Sequence, residues 1–321
     1  MRFWAASLFC FFAGAGAAPL PGYHAEVATF TVSGVSSGGY MAVQMHFAHS
    51  RRVVGVAALA AGPYYCARGS LWTAWNLCMT GNPAVSKNDV RDPRVDPVAN
   101  VAKARVWLFS GTEDRTVAPA VVQALAKQYA LFGAVPVLVQ DKPAGHAMVT
   151  ENAGNACGAT EPPFINDCDY DAAGALLAHL LGGLSPPSQV AAGRLVVFDQ
   201  RELGGTSAIS MADEGFAYIP AACEKERCRV HVAFHGCRQG ASAVGEAFVR
   251  DAGYNRWAET NRLIVLYPQA VARYVWWVWN PRGCWDWWGY TGAAYATKDA
   301  PQIRAVMAMV ERLGLPKEKN R

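Results

Sequence analysis

Thr31–Met41 reads TVSGVSSGGYM, and within it Gly34–Gly38 matches the pattern G-x-S-x-G. That pattern sets a serine on a sharp turn between a strand and a helix, with its hydroxyl clear of the backbone. The flanks fit, because Glu26–Val32 has the β-branched and aromatic residues of a strand. Gly39–Arg51 carries apolar residues at helical spacing. We therefore predict that Ser36 is a nucleophile; the alternative is a Gly/Ser-rich loop, because five-residue patterns also arise by chance.

The N-terminal residues differ from the rest of the chain. Met1-Arg2 is followed by the apolar run Phe3–Phe12 and then by small residues up to Ala18. This order is typical of a secretory signal peptide, cleaved near Ala17 or Ala18, whereas a membrane anchor needs a longer apolar run. We predict a signal peptide over residues 1–18 and a catalytic domain over 19–321. The protein is then secreted, or periplasmic where the host has an outer membrane.

Composition narrows the class of protein. The chain has 321 residues, 52% of them hydrophobic, which is enough for one large domain or two small ones. The net charge of +4 comes without a basic run, so we expect no nucleic acid partner. No stretch after the N-terminus is apolar enough to span a membrane. Gly182–Gln189 could divide two domains, but the candidate chemistry needs both halves, so we expect one domain and a monomer.

The cysteines agree with export. Nine are present, and Cys10 falls in the predicted signal peptide, which leaves an even number. In an exported chain this favours disulfides. A zinc site is the alternative, but no C-x-x-C or paired-histidine spacing occurs. The remaining cysteines form three close pairs and one distant pair, although spacing alone does not fix the bridges: Cys66 and Cys78, Cys157 and Cys168, Cys223 and Cys228, Cys237 and Cys284.

Predicted strands and helices alternate along the chain, which indicates a mostly parallel, doubly wound α/β sheet. The predicted strands are Val53–Ala61, Ala104–Ser110, Val135–Gln140, Gly193–Asp199, Gly215–Ile219, Arg229–Phe234 and Leu263–Tyr267. Further helices are predicted over Ala118–Phe132, Asp169–Leu181, Ala243–Asn261 and Ala300–Leu313, and a loop region over Gly62–Val101.

A serine nucleophile needs a base and an acid that orients it. Asp114 follows a predicted strand in a turn-prone segment, and His146 follows the next strand. The order Ser, Asp, His is that of α/β-hydrolases, in which both partners sit on loops after strands. Glu113 is the alternative acid. Taken singly, the aspartate could cap a surface turn and the histidine could lie in solvent.

His235-Gly236-Cys237 ends a predicted strand far downstream of Ser36. In α/β-hydrolases a strand of this kind ordinarily precedes the elbow, because its loop supplies one N–H of the oxyanion hole. The displacement predicts a circularly permuted α/β-hydrolase fold. The backbone N–H groups of Ser37 and Cys237 would then face the oxyanion. Alternatively, His235 merely ends a core strand.

Tyr274–Tyr290 holds six of the eleven tryptophans. Trp276 and Trp277 are adjacent, so in a strand they would face opposite sides and one would be exposed or cover a groove. Aromatic rings beside a nucleophile suit an apolar, extended substrate, and core packing is the alternative. Trp285 and Tyr40 are further candidates for substrate contact.

The chain resembles the single-domain, fungal-type extracellular poly(3-hydroxybutyrate) depolymerases in VSGVSSGGYMAVQ, AAGPYYCA, SGTEDRTVAP, CDYDAAGALL, VHVAFHGC, AGYNRWAETN, LYPQA and GCWDWWGY. The resemblance implies a circularly permuted α/β-hydrolase fold that holds one polyester chain in a surface crevice, without a separate polymer-binding domain. The residue roles and bridges that it implies are a Ser36–Asp114–His146 triad, oxyanion donors at Ser37 and Cys237, a substrate contact at Trp287, and disulfides Cys66–Cys78, Cys157–Cys168, Cys223–Cys228 and Cys237–Cys284.

The expected function is that of a secreted serine esterase cleaving poly(3-hydroxybutyrate)-type aliphatic polyester through an acyl-enzyme, with no cofactor and no metal. Within the enzymes, the alternative is a small-ester or feruloyl-type carboxylesterase with the same triad. From another class, the alternative is a non-catalytic protein that binds a polymer or glycan through the aromatic block.

Overall fold

A computed structural model describes residues 17–276 and 278–317. The predicted signal peptide lies outside the described residues except for its last two positions, and Cys10 lies outside them as well. Of the adjacent pair Trp276 and Trp277, only Trp276 is described. Within the described ranges, no helix has the length and apolar character needed to cross a membrane.

The strands form one large sheet, a small sheet and a hairpin. In chain order they are β1 (Glu26–Val35), β2 (Val53–Leu59), β3 (Arg105–Phe109), β4 (Val137–Val139), β5 (Met148–Thr150), β6 (Asn155–Ala156), β7 (Ile165–Asp167), β8 (Arg194–Asp199), β9 (Glu214–Ile219), β10 (Arg229–Phe234), β11 (Leu263–Tyr267), β12 (Arg273–Val275) and β13 (Val278–Asn280). Strands β5 to β7 form the small sheet, and β12 pairs with β13.

The large sheet has eight strands in the order β8-β9-β11-β10-β1-β2-β3-β4. All neighbours from β11 to β4 run parallel, whereas β9 is antiparallel to both β8 and β11. Strands from the second half of the chain thus occupy one side of β1 and strands from the first half the other. The predicted permuted α/β-hydrolase fold with a mostly parallel sheet is confirmed.

Helices cover both faces of this sheet. They are α1 (Ser37–Ala48), α2 (Leu71–Asn76), α3 (Pro119–Leu131), α4 (Ala172–Leu181), α5 (Ala241–Val244), α6 (Ala247–Asp251), α7 (Tyr254–Thr260) and α8 (Pro301–Gly314). Successive side chains of a strand point to opposite faces of the sheet, so each strand contributes to two hydrophobic cores, one on each face. In β3, Val106 and Leu108 join the core under α1, α3 and α8, while Trp107 and Phe109 join the core under α4, α6 and α7.

Two predicted segments differ from the structure. The helix predicted over Ala243–Asn261 is split into α5, α6 and α7, because Gly245 and Gly253 have φ values of +61° and +90° that no helix interior allows. The loop predicted over Gly62–Val101 contains α2, whose first turn is capped by the Ser70 hydroxyl accepting from the Thr73 N–H at 3.2 Å.

Four disulfides tie the loops to the sheet. They join the pairs that the resemblance implies, Cys66–Cys78, Cys157–Cys168, Cys223–Cys228 and Cys237–Cys284. The last bridge spans 47 residues and connects the loop after β10 to the loop after β13. It therefore fixes the aromatic block beside the end of β10.

His46 on α1 makes the fold sensitive to acid. Its ring is fully buried, with Nδ1 3.0 Å from the Tyr129 hydroxyl and Nε2 lacking a partner among the described residues. Desolvation lowers the pKa of His46 from 6.5 to about 3. Below pH 6.5 the unfolded chain therefore binds a proton at His46 that the folded chain does not bind. The free energy of unfolding falls as the pH drops from 6.5, the pKa of a free histidine, toward about 3, the pKa of His46 in the fold.

We expect His46→Leu to flatten the dependence of the unfolding free energy on pH between about 6 and 4. Without His46, the unfolded chain no longer binds one proton more than the folded chain. The slope of the unfolding free energy against pH therefore falls by about 1.4 kcal/mol per pH unit. Urea unfolding at a series of pH values measures it. His24→Asn is the control, because His24 is exposed and its left-handed backbone, φ +53°, tolerates asparagine. An unchanged slope in His46→Leu would mean that the buried ring is already protonated in the fold.

Candidate active site

Ser36 occupies the turn between β1 and α1. Its backbone lies at φ +55° and ψ −125°, a strained region for a residue with a side chain, and its side chain is half-buried at the carboxyl end of the sheet. A Cβ on Gly34 would lie 2.3 Å from the Gly38 carbonyl, and one on Gly38 would lie 2.3 Å from the Phe234 oxygen of β10. The start of α1 packs so closely against β1 and β10 that neither position has room for a side chain. This explains both glycines of the motif.

The structure brings together the three residues predicted as a triad. Ser36 Oγ lies 2.8 Å from His146 Nε2, and His146 Nδ1 lies 2.7 Å from Asp114 Oδ2. The residues Asp114 and His146 are almost buried, at 5% and 8% exposure. With its proton on Nδ1, the imidazole donates to the carboxylate and leaves Nε2 free to accept the serine proton.

Local backbone contacts orient the acid and the base. Asp114 Oδ1 accepts from the N–H groups of Thr116 and Val117 at 2.8 and 2.9 Å, so only Oδ2 is turned to the imidazole. The His146 N–H donates to the Thr160 hydroxyl at 2.9 Å. Glu113, the alternative acid, is exposed and makes no hydrogen bond to the imidazole. The geometry therefore selects Asp114.

The two predicted oxyanion donors flank the serine. Ser37 is the first residue of α1, so its N–H has no intrahelical acceptor and stands at the positive end of the helix. The loop after β10 approaches from the other side: a Cβ on Gly236 would lie 3.4 Å from the Ser36 Cβ, and Cys237 lines the same cavity as Ser36. Their arrangement can hold a developing negative charge.

Two buried side chains hold this loop: Gln239, which the sequence analysis did not select, and His235, for which it predicted no contact. Gln239 Oε1 accepts from the Gly236 N–H at 2.7 Å, and its Nε2 donates to the Phe164 carbonyl at 2.7 Å. His235 Nε2 accepts from the Ala270 N–H at 3.0 Å, so Nδ1 carries the proton and donates to the Gly236 carbonyl at 2.7 Å. Desolvation lowers the pKa of His235 to about 4, which keeps that ring neutral.

A groove leads away from Ser36 between α2 and the β12–β13 hairpin. We call it the aromatic groove; it has a volume of about 190 Å³ and is lined by Tyr40, Leu71, Trp75, Trp279, Trp287 and Trp288. Trp287 is 6% exposed and stacks on Tyr40 with ring centroids 4.1 Å apart. Both predicted contact residues thus form part of its surface.

Trp285 does not reach the groove. Its ring is fully buried and packs edge-on against Phe234 and beside His235, at centroid distances of 5.1 and 5.5 Å. The prediction that Trp285 contacts the substrate is therefore wrong. Trp285 and Asp286 are both buried, whereas the next two residues, Trp287 and Trp288, line the groove.

The aromatic groove opens onto an apolar surface. On one rim α2 exposes Trp72 at 73% and Trp75 at 56%; on the other, the hairpin exposes Trp276 at 89% and Trp279 at 57%. Indole rings rarely stand this far out of a soluble surface unless they contact something. The sequence analysis did not identify this rim; the signal that could have indicated it is a Trp-x-x-Trp spacing that begins two residues after Ser70, a residue type that caps helices.

No protein-family model matches the chain. A poly(3-hydroxybutyrate) depolymerase of Delftia acidovorans is 40% identical over 92% of this chain, which spans 61% of that protein's length. A polyhydroxybutyrate depolymerase of Talaromyces funiculosus is 34% identical, over 92% of this chain and 93% of that protein.

Two solved structures resemble the chain closely. One is a PHB depolymerase from Penicillium funiculosum, and the other is a serine-to-alanine variant of a PHB depolymerase in complex with an R3HB trimer. Each has 33% identity and a TM-score of 0.86, over 92% of this chain and 98% of the other.

Proposed function

The chain belongs to the polyhydroxybutyrate depolymerase family, and from this premise we propose that it hydrolyses the ester bonds of poly(3-hydroxybutyrate)-type polyester as an exported, monomeric serine esterase. The observation that carries the proposal is the hydrogen-bonded chain from Ser36 through His146 to Asp114, at the inner end of an open aromatic groove. The groove suits an extended apolar chain, because tryptophan and tyrosine rings form much of its lining.

Acylation follows from the geometry. His146 Nε2 takes the proton of Ser36 Oγ as that oxygen attacks the ester carbonyl, and Asp114 stabilises the imidazolium that forms. The carbonyl oxygen becomes an oxyanion held by the N–H groups of Ser37 and Cys237. Loss of one such donor typically costs about 3–4 kcal/mol of transition-state stabilisation. The imidazolium then gives its proton to the leaving alkoxide, which departs as an alcohol.

Deacylation repeats these steps with water. His146 takes a proton from a water molecule that attacks the acyl-enzyme carbonyl, and the oxyanion is again held by the two backbone donors. Collapse of the intermediate returns the proton to Ser36 and releases the acyl part as a carboxylic acid. The same donors and the same base thus serve both halves of the reaction.

The experiment that tests the proposal compares substrates. The enzyme is expected to clear an amorphous suspension of poly(3-hydroxybutyrate) and also to hydrolyse p-nitrophenyl butyrate. Hydrolysis of p-nitrophenyl butyrate or methyl ferulate without clearing would identify a small-ester or feruloyl-type esterase. Binding to the suspension without hydrolysis of any ester would identify a binding protein.

A matched pair of variants examines the rim of the groove in the same assay. Trp72→Ser is expected to slow clearing several-fold and to change p-nitrophenyl butyrate hydrolysis little, because the exposed indole lies beyond the cavity that holds a small ester. Val135→Ser removes an 85% exposed apolar side chain at the amino end of β4, away from Ser36. Equal clearing by the two variants would exclude a role for the rim in holding polymer.

A further inference from the structure

Ser36 stands between two cavities of different character. One is the aromatic groove. The second, which we call the arginine lobe, has a volume of about 70 Å³; its lining includes Ser36, His146, Thr160, Arg238 and Arg282. The two cavities meet at four residues that line both, Ser36, Met79, Cys237 and Arg282. His146 lines only the arginine lobe.

The position of His146 decides which part of an ester lies in which cavity. The imidazole must protonate the leaving alkoxide, so that oxygen has to lie beside His146 Nε2. The leaving alcohol is therefore directed into the arginine lobe, and the acyl part into the aromatic groove. In a polyester of hydroxy acids, the alcohol side of every ester bond runs toward the carboxyl end of the chain. When the last bond is cut, the leaving unit carries a free carboxylate.

The two guanidinium groups are placed to meet that carboxylate. Both side chains are exposed to solvent, and neither forms a salt bridge within the described residues 17–276 and 278–317. The Arg238 N–H donates to the Arg282 carbonyl at 2.7 Å, and the Cys237–Cys284 bridge joins the two segments. The Arg238 guanidinium lies 5.0 Å from the Phe164 ring centroid, which restrains it at the lobe.

The backbone of Arg238 has an unusual conformation for an arginine. Its φ of +58° lies in the left-handed region, where glycine or asparagine is the usual residue. An arginine there accepts backbone strain that glycine, which has no Cβ, would avoid. Such strain persists where the surrounding structure fixes the backbone, and it is frequent at active sites.

Building on the proposed function, we propose that Arg238 and Arg282 form a carboxylate subsite for the leaving hydroxy acid. The enzyme therefore favours the ester bond next to a free carboxyl end and releases 3-hydroxybutyrate from that end. Arginine suits this role, because its planar fork matches a carboxylate and keeps its charge at every working pH.

The test uses the soluble trimer of 3-hydroxybutyrate, as the free acid and as its methyl ester. Wild type is expected to hydrolyse the acid with a kcat/KM about tenfold higher, the size of one charge-assisted contact in a solvated site. In the double variant Arg238→Gln/Arg282→Gln this ratio is expected to fall to about one. The ratio compares two substrates in one protein, so it is independent of how much enzyme is folded.

Arg115→Gln is the matched control. Arg115 is exposed, carries the same charge next to Asp114 and lines neither cavity, so the acid-to-ester ratio should remain at the wild-type value. A ratio near one in wild type, or a wild-type ratio in the double variant, would overturn the carboxylate subsite and leave the polyester function standing. If neither trimer is hydrolysed while p-nitrophenyl butyrate is, the polyester function falls, and the subsite with it.

Discussion

Ser36→Ala is expected to lower kcat for p-nitrophenyl butyrate by about 10⁴- to 10⁶-fold, the range seen when a triad serine is removed from other hydrolases. The hydroxyl oxygen is the only atom that forms the proposed acyl-enzyme, and no other described hydroxyl is hydrogen-bonded to His146 Nε2. Alanine can occupy the same turn, since its Cβ equals that of serine. Measured at equal protein concentration, kcat reports the chemistry directly, and labelling by an organophosphonate should disappear with it.

Ser110→Ala is the matched control for this loss. Ser110 is a buried serine just after β3, and its Oγ has no hydrogen-bond partner among the described residues. Its removal should leave kcat within a few-fold of wild type. Retention of phosphonate labelling in Ser36→Ala would place the nucleophile elsewhere.

Asp114→Asn is expected to lower kcat by about 10⁴-fold, because it imposes the wrong imidazole tautomer. The N–H groups of Thr116 and Val117 hold Oδ1 at this position, so in the variant they retain the amide oxygen and turn the amide NH₂ toward His146 Nδ1. The imidazole must then accept at Nδ1 and carry its proton on Nε2. It can no longer take the proton of Ser36.

Glu113→Gln is the isosteric control for this effect. The neighbouring Glu113 is exposed and loses the same charge, so it reproduces any long-range electrostatic change without altering the imidazole. Its kcat should remain close to the wild-type value. If Glu113→Gln caused the large loss and Asp114→Asn did not, the roles of the two acids would be reversed.

The fold could be predicted as far as local pattern determines it. Short apolar runs gave the strands of the large sheet, and the late position of His235-Gly236-Cys237 gave the permutation. The segment Ala243–Asn261 was predicted wrongly, since its apolar spacing continues through Gly245 and Gly253 although the chain turns at both. The helix α2 was hidden in a region whose glycines, prolines and asparagines predict loops.

Some residues of the site could also be predicted from the sequence, and others could not. The positions of Asp114 and His146 after strands were enough to select them, because parallel strands end at one edge of a sheet. Trp285 could not be separated from Trp287 by sequence, since which of them faces the core depends on the path of the loop after Cys284. Gln239 and Arg282 act through contacts between distant segments, and no local pattern indicates such contacts.

The order of strands has a consequence for how the enzyme comes into being. Thr31 of β1 and its partner His231 of β10 are 200 residues apart. Contacts of such long range make folding slow, and a ribosome delivers the serine well before the loop that ends β10. In a nascent chain the proposed nucleophile Ser36 is thus made before Cys237, one of the two proposed oxyanion donors. We therefore expect ester cleavage to begin only after the C-terminal half has folded against β1 and brought the Cys237 N–H beside Ser36.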